Sequence, residues 1–255
     1  MKIADGYLAL ERPDARLRVL MFHHAGGSAM SYLPIARQLP DGCEPLLFEL
    51  PGRGLRSSEP LVPDFTAAVA ELLPKVIGVI DRPVLIFGHS LGAILAHSLV
   101  AGLPADQRAL VRTVVVSAYS SPADAALRAP HPAKPFQVRT WDGLVAELRV
   151  RDGSPAELFD DPELLELTVN LLGHDLHLAD TYRPPAPIEI NAEYQVWRGR
   201  EDPRPTTAQL AGWAEVSRPA PTFREFAGGH FYLLQSPQAG RALAELTTEL
   251  SIELC

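Results

Sequence analysis

The 255-residue sequence has little of what builds disulfide-bonded or membrane-spanning proteins. Its two cysteines, Cys43 and Cys255, are too few for a disulfide framework or a cysteine-based metal site. No apolar run approaches the roughly 18 residues that a spanning helix needs, and the first residues lack the charged and apolar segments of a secretory signal. We therefore predict a cytoplasmic protein without membrane association.

Basic residues are fewer than acidic ones: the sequence has 23 Lys and Arg and 31 Asp and Glu. The net charge of −8 argues against nucleic-acid binding, whose affinity comes chiefly from neutralising phosphates. The charge is unevenly distributed: residues 108–151 contain seven bases and three acids, whereas residues 152–180 contain eight acids and no Lys or Arg. Two interpretations stay open, a docking surface for an acidic partner and a pair of solvated faces.

Short apolar runs rich in β-branched residues alternate with longer amphipathic stretches. This alternation is typical of an α/β protein with a mostly parallel central sheet flanked by helices. Strands are predicted at residues 17–22, 45–50, 84–87, 113–118, 194–198 and 222–226. Helices are predicted at residues 32–39, 65–80, 91–103, 208–216 and 238–253.

The alternation breaks after Ala118, and about 75 residues pass before the next predicted strand, too many for one crossover loop. Leucines at helical spacing lie within this interval, between residues 164 and 182, and a proline-rich run follows them. We therefore expect residues 1–120 and 188–255 to form the core and residues 121–187 to form an inserted helical lid.

A serine flanked by glycines lies at a predicted strand-to-helix junction, in the segment Gly88-His89-Ser90-Leu91-Gly92. The Gly-x-Ser-x-Gly pattern is weak alone, but its place between strand 84–87 and helix 91–103 makes it specific. Such a turn strains the serine backbone and projects the hydroxyl from the sheet edge. The following helix adds N–H groups that favour an oxyanion. Ser90 is therefore the predicted nucleophile.

A serine nucleophile requires a base, and the base requires a carboxylate that fixes its tautomer. Asp202 follows the strand at 194–198, and His230 follows the strand at 222–226 after two glycines. The order Ser, Asp, His is the order found in the α/β-hydrolase fold. We predict a triad of Ser90, His230 and Asp202, with Glu201 as the neighbour that could be mistaken for the acid.

The second half of an oxyanion hole is expected in the loop after the first predicted parallel strand. Small residues there, in His24-Ala25-Gly26-Gly27, would let the Ala25 N–H approach a substrate oxygen. Ala25 and Leu91 are therefore the predicted donors. A phosphate site at this turn is disfavoured because the phosphate-binding glycine motifs are absent.

His174 and His177 are one helical turn apart and could in principle bind a metal ion. No third ligand follows at a matching spacing, so we predict no metal site and no cofactor.

Six segments, in order along nearly the whole chain, resemble the type II thioesterases that accompany polyketide synthases and non-ribosomal peptide synthetases. They are Phe22-His23-His24-Ala25-Gly26-Gly27-Ser28-Ala29, Leu50-Pro51-Gly52-Arg53-Gly54, Phe87-Gly88-His89-Ser90-Leu91-Gly92-Ala93, Ala179-Asp180-Thr181-Tyr182, Gly199-Arg200-Glu201-Asp202-Pro203 and Gly228-Gly229-His230-Phe231-Tyr232-Leu233. One departure is His23, where the family usually has proline.

The resemblance implies the α/β-hydrolase fold, the triad named above and acyl thioesters as substrates. The acyl groups would be held on the phosphopantetheine arm of an acyl or peptidyl carrier protein, and hydrolysis would release stalled or misprimed chains. Two alternatives remain: a free-standing carboxylesterase or lipase with the same triad, and a non-catalytic scaffold that binds a carrier protein.

Overall fold

The computed structural model describes residues 1–126, 139–150, 156–185 and 190–254. Its strands are β1 (Lys2–Ala4), β2 (Tyr7–Ala9), β3 (Leu17–Phe22), β4 (Cys43–Phe48), β5 (Val84–His89), β6 (Val111–Ser117), β7 (Glu193–Gly199) and β8 (Thr222–Phe226). In the described residues these strands form one sheet in the order β1-β2-β4-β3-β5-β6-β7-β8. Strands β3 to β8 are parallel, and β1 and β2 are antiparallel additions at one edge. The predicted mostly parallel sheet is thus confirmed.

The described helices are α1 (Ala29–Ala36), α2 (Phe65–Ile77), α3 (Leu91–Gly102), α4 (Ala105–Arg108), α5 (Pro122–Ala126), α6 (Trp141–Val150), α7 (Pro162–Thr181), α8 (Thr207–Ala211), α9 (Tyr232–Gln235) and α10 (Pro237–Glu253). Capping side chains fix several starts. The Asp64 carboxylate accepts the Ala67 N–H at 2.8 Å, so α2 begins where it was predicted. Helix α1 begins three residues earlier than predicted, because the Ser28 N–H donates to Ser31 Oγ and caps it there.

Apolar side chains cover both faces of the sheet, as expected for parallel strands that are buried on each side. Along β3, Leu20 and Phe22 belong to one hydrophobic cluster, with residues of α2 and α3. Leu17, Val19 and Met21 belong to the other, with residues of α1 and α10. Successive side chains of one strand therefore belong to two hydrophobic cores, one on each face of the sheet.

The interval between β6 and β7 contains α5, α6 and α7, at the position where the lid was predicted. Helix α7 contacts α2, α3 and α6. It begins after Asp161, whose carboxylate accepts the N–H groups of Glu163 and Leu164 at 3.1 Å each. Residues 127–138, 151–155 and 186–189 of the predicted lid lie outside the described residues. Throughout the described part of the chain, no helix combines the length and the apolar character that crossing a bilayer demands.

Candidate active site

Ser90 lies in the turn between β5 and α3 with a φ of 55° and a ψ of −118°, a region that non-glycine residues rarely occupy. The two flanking glycines make this turn possible. A Cβ at Gly88 would lie 1.9 Å from the carbonyl oxygen of Gly92. A Cβ at Gly92 would lie 2.2 Å from the carbonyl oxygen of Phe22. The backbone is therefore too close at both positions for any side chain, and the strained serine conformation predicted from the motif is observed.

The structure brings Ser90, His230 and Asp202 together at the carboxyl edge of the sheet. His230 Nε2 is 3.1 Å from Ser90 Oγ, and His230 Nδ1 is 2.8 Å from Asp202 Oδ2. Asp202 is buried, and its Oδ1 accepts the Arg204 N–H at 3.0 Å. The contact with Asp202 favours the neutral tautomer with its proton on Nδ1, in which Nε2 can accept the serine proton.

Glu201, the predicted alternative to Asp202, has a different contact. Its carboxylate accepts the backbone N–H of Gly228, and its own N–H donates to the Gly228 carbonyl at 3.2 Å. Glu201 therefore connects the loop after β7 to the loop after β8, whereas Asp202 contacts the His230 ring.

The loop of residues 23–28 between β3 and α1, called here the β3 loop, contains the Ala25 N–H that was predicted to bind a substrate oxygen. In the described residues, the N–H groups of the four residues after Ala25 all have protein acceptors: Gly26 donates to Asp175 Oδ2, Gly27 to the His24 carbonyl, Ser28 to Ser31 Oγ and Ala29 to Glu49 Oε1. Neither Ala25 N–H nor Leu91 N–H, at the first position of α3, has a protein acceptor there. The two predicted oxyanion donors are thus unoccupied by other bonds.

His23 holds the β3 loop at its start. Its Nδ1–H donates to the His24 carbonyl at 2.8 Å, and its Nε2 accepts the Leu50 N–H at 3.4 Å. Burial, together with the positive charge of Arg53, lowers the pKa of His23 to about 4, so the ring is neutral at neutral pH. Where the family usually has proline, this chain therefore fixes the loop with hydrogen bonds.

A buried ion pair between Arg53 and Asp175 connects the β3 loop to α7. Arg53 Nη2 is 2.8 Å from Asp175 Oδ1, and the Gly26 N–H donates to Asp175 Oδ2 at 2.7 Å. Burial opposes the carboxylate charge, but the Arg53 charge and hydrogen bonds outweigh it and hold the pKa of Asp175 below its usual value. The interpretation of residues 152–180 as a solvated acidic face is therefore wrong for Asp175. Its spacing from Leu172 and Leu176, on the buried side of α7, was a signal in the sequence.

The basic stretch of residues 108–151 does not form one surface in the described residues. Arg108 and Arg112 lie at the amino-terminal end of β6. The Ser90 N–H donates to the Ser117 carbonyl at the carboxyl-terminal end of β6, so these two bases are at the end away from the nucleophile. Arg139 is paired with Asp180. Arg149 is exposed and lies over the Phe159 ring at 4.2 Å. The remaining bases, Arg128, Lys134 and Arg151, lie outside the described residues.

The His174–His177 pair has structural contacts. His174 Nε2–H donates to the Val62 carbonyl at 2.6 Å, and both rings are buried. Within residues 1–126, 139–150, 156–185 and 190–254, no group of three or more His, Cys, Asp or Glu side chains is arranged to hold a metal ion.

Comparison with known proteins assigns the chain to a family. Residues 17–248 match the family model of the thioesterase domain. The probable cadicidin biosynthesis thioesterase of Streptomyces griseus is 32% identical over 219 residues, which are 86% of this chain and 59% of that protein. Thioesterase PikA5 of Streptomyces venezuelae is 30% identical over 228 residues, which are 87% of this chain and 77% of that protein.

A solved structure gives the same result. The type II thioesterase BorB from the borrelidin biosynthetic cluster superposes with a TM-score of 0.82 at 29% identity, covering 97% of this chain and 99% of that chain. The predicted α/β-hydrolase fold and the predicted resemblance to type II thioesterases are confirmed. This chain belongs to the thioesterase domain family of serine hydrolases.

Proposed function

We propose that this protein hydrolyses acyl thioesters held on the phosphopantetheine arm of an acyl or peptidyl carrier protein, releasing stalled or misprimed acyl groups. The observation that carries the proposal is the hydrogen-bonded chain from Ser90 Oγ through His230 to Asp202. Relatives named for cadicidin and borrelidin biosynthesis support a substrate of this class.

In the first half of the reaction, Ser90 Oγ attacks the thioester carbonyl while His230 Nε2 accepts the serine proton. Asp202 accepts the Nδ1–H bond, holds the tautomer and stabilises the imidazolium that forms. The N–H groups of Ala25 and Leu91 bind the oxyanion of the tetrahedral intermediate. The carbon–sulfur bond then breaks, and the sulfur of the arm leaves with the proton from His230. A thiolate is a good leaving group, so this step demands little of the general acid.

In the second half, water replaces the thiol. His230 Nε2 accepts a proton from the water as its oxygen attacks the acyl ester on Ser90. The tetrahedral intermediate uses the same two N–H donors, and its collapse breaks the bond to Ser90 Oγ. The serine oxygen recovers its proton from His230, and the free acid leaves.

We also propose that residues 121–187 act as a lid over a core of residues 1–120 and 188–255. The support is the position of α7, which contacts α2 and α3 and bonds to the β3 loop beside the Ser90 turn. A helix so placed would shape the acyl-binding space and limit water access.

Active-site titration with a fluorophosphonate, combined with a substrate comparison, tests the proposal against its alternatives. We expect stoichiometric labelling that is lost in Ser90→Ala. The matched control is Ser98→Ala, which removes a serine hydroxyl of α3 that has no hydrogen-bond partner in the described residues and should leave labelling intact. A scaffold would not be labelled at all. A carboxylesterase or lipase would be labelled but would hydrolyse a simple ester faster than a carrier-bound thioester.

A further inference from the structure

The Arg53-Asp175 pair holds two peptide groups of the β3 loop, the one that joins Ala25 to Gly26 and the one that joins Gly27 to Ser28. Asp175 Oδ2 accepts the Gly26 N–H at 2.7 Å, and Arg53 Nη1 donates to the Gly27 carbonyl at 3.4 Å. The peptide plane held by Asp175 joins Ala25 to Gly26. The N–H group assigned to the oxyanion is that of Ala25 itself, so only the Ala25 Cα lies between this group and the peptide plane held by Asp175.

The ion pair is buried, and the part of the β3 loop that it holds lies next to α7. The side chains of Arg53 and Asp175 are 1% and 0% exposed. Gly26 has a φ of 77°, and a Cβ built on it would lie 3.6 to 3.8 Å from side-chain and backbone atoms of Leu172. Helix α7 thus lies next to the loop, and the hydrogen bond from the Gly26 N–H to Asp175 joins the two.

Charge makes this contact different from ordinary packing. Separating a buried ion pair leaves each charge without compensation, which is strongly unfavourable. Moving α7 away from the β3 loop would separate Asp175 from both Arg53 and Gly26. It would also remove the acceptor of the Gly26 N–H, one residue after Ala25.

We propose that Asp175, held by Arg53, is a positioning residue that orients the Ala25 N–H toward the oxyanion, so that the oxyanion hole is complete only when α7 is in place. This inference rests on the proposed function of Ser90. It gives the inserted helix a part in stabilising the transition state as well as in controlling access.

The test compares Asp175→Asn and Asp175→Ala with Asp180→Asn, using a small acyl thioester that needs no carrier docking. Asparagine keeps an oxygen for the Gly26 N–H but loses the charge that faces Arg53, and alanine loses both. Because removal of one oxyanion donor costs about 10²- to 10³-fold in kcat, a displaced donor should cost roughly 10- to 100-fold in Asp175→Ala and less in Asp175→Asn. KM should stay within about two-fold. Asp180→Asn, which removes a different ion pair of α7, should leave kcat unchanged.

A transition-state probe separates positioning from simple support of the fold. A trifluoromethyl ketone analogue forms a tetrahedral adduct with Ser90 whose oxyanion uses the same donors, so its affinity should fall by the same factor as kcat/KM across the variants. If Asp175→Ala does not fold, Arg53→Lys serves instead, because it keeps the charge but loses the two-pronged contact. Its kcat should fall less, with the same parallel loss of inhibitor affinity.

Unchanged kcat and inhibitor affinity in a folded variant, or a rise in KM alone, would overturn the positioning role while leaving the function of Ser90 intact. Failure of the proposed function is a separate result, namely hydrolysis by Ser90→Ala.

Discussion

The Ser90 turn and the contact between α7 and the β3 loop are held in different ways. Backbone sterics determine the geometry of the turn, whereas a buried ion pair holds the contact of α7. The turn depends on Gly88 and Gly92, which are neighbours of the serine in sequence and leave no space for a Cβ. The contact of α7 with the β3 loop includes the ion pair of Arg53 and Asp175, which are 122 residues apart. The first arrangement is insensitive to solvent conditions and intolerant of any added atom. The Arg53-Asp175 contact should tolerate side chains of similar shape but requires the two charges. Different substitutions can therefore disrupt the Ser90 turn and the α7 contact separately.

The largest expected effect is that of Ser90→Ala at the turn. Without the nucleophile, kcat for a carrier-bound thioester should fall by roughly 10⁴-fold or more, because binding and the oxyanion donors alone supply little of the rate. The hydroxyl is at the site and not in either core, so the melting temperature should not fall. Steady-state kinetics and thermal unfolding of the same preparation check both statements, and turnover near the wild-type rate would remove Ser90 from the mechanism.

Asp202→Asn should come next, with a loss of about 10⁴-fold in kcat, because an amide can stabilise the wrong histidine tautomer. Glu201→Gln is the matched control: it changes the adjacent carboxylate, which bonds to Gly228 and not to His230. We expect it to cost less than about ten-fold. Should Glu201→Gln be the more damaging change, the acid would be misassigned by one residue.

Gly88→Ala tests the steric requirement of the Ser90 turn. Its Cβ would lie 1.9 Å from the Gly92 carbonyl oxygen, so the free energy of unfolding should drop by roughly 3 kcal/mol or more. Gly78→Ala, where a Cβ would make contacts of 3.4 and 3.5 Å with backbone oxygens, should change it by less than about 1 kcal/mol. Denaturant unfolding measures both, and equal stabilities would show that the turn can relax.

Buried histidines should make the free energy of unfolding depend on pH, whereas the steric fit of the Ser90 turn should not. Burial lowers the pKa of His97 to about 4, and the ordinary value is about 6.5. The unfolded chain therefore binds the proton first as the pH falls from 6.5 to 4, and stability should decrease by about 3 kcal/mol over that window on account of this ring.

His97→Gln tests the assignment, because a side chain that does not titrate should give a shallower loss of stability on acidification than the wild type. Denaturant unfolding at pH 7 and pH 4 supplies the four values needed. An identical loss in both proteins would mean that His97 is not the group responsible.

The smallest effect concerns the exposed Arg149. If the basic stretch docks an acidic carrier, Arg149 is a described and exposed candidate contact; charges at the edge of an interface act mainly on association, so Arg149→Glu should then lower kcat/KM for carrier-bound substrates a few-fold. The difference should fade with salt, since the Debye length is about 10 Å at 0.1 M. Arg112→Glu, at the end of β6 away from Ser90, is the control and should have no such effect. Equal losses on small thioesters would assign Arg149 to packing on Phe159.

Local patterns predicted the six parallel strands of the sheet. Strands β3 and β8 begin and end where the apolar alternation placed them, and the glycines around Ser90 marked a turn that the backbone requires. Strands β1 and β2 were not predicted, because three residues are too few to display a period and the pairing of β2 with β4 joins distant parts of the chain.

The contribution of α7 could not be derived from its own segment. Asp175 appears there as one acid among eight, and its partner Arg53 lies in a separate motif whose own role was not assigned. Only the leucines on the same helical face indicated that the carboxylate is buried. Long-range ion pairs leave such weak signals because each partner alone resembles a surface charge.

The most direct test of the central claim, that Ser90 takes the acyl group from a carrier, is intact-mass measurement after rapid acid quenching of the enzyme mixed with an acyl-loaded carrier protein. We expect the carrier to lose the acyl mass while the enzyme transiently gains it, peptide mapping of the quenched enzyme to place the gain on the peptide containing Ser90, and neither change to occur with Ser90→Ala. A carrier that keeps its acyl group, or one deacylated equally well by Ser90→Ala, would contradict it.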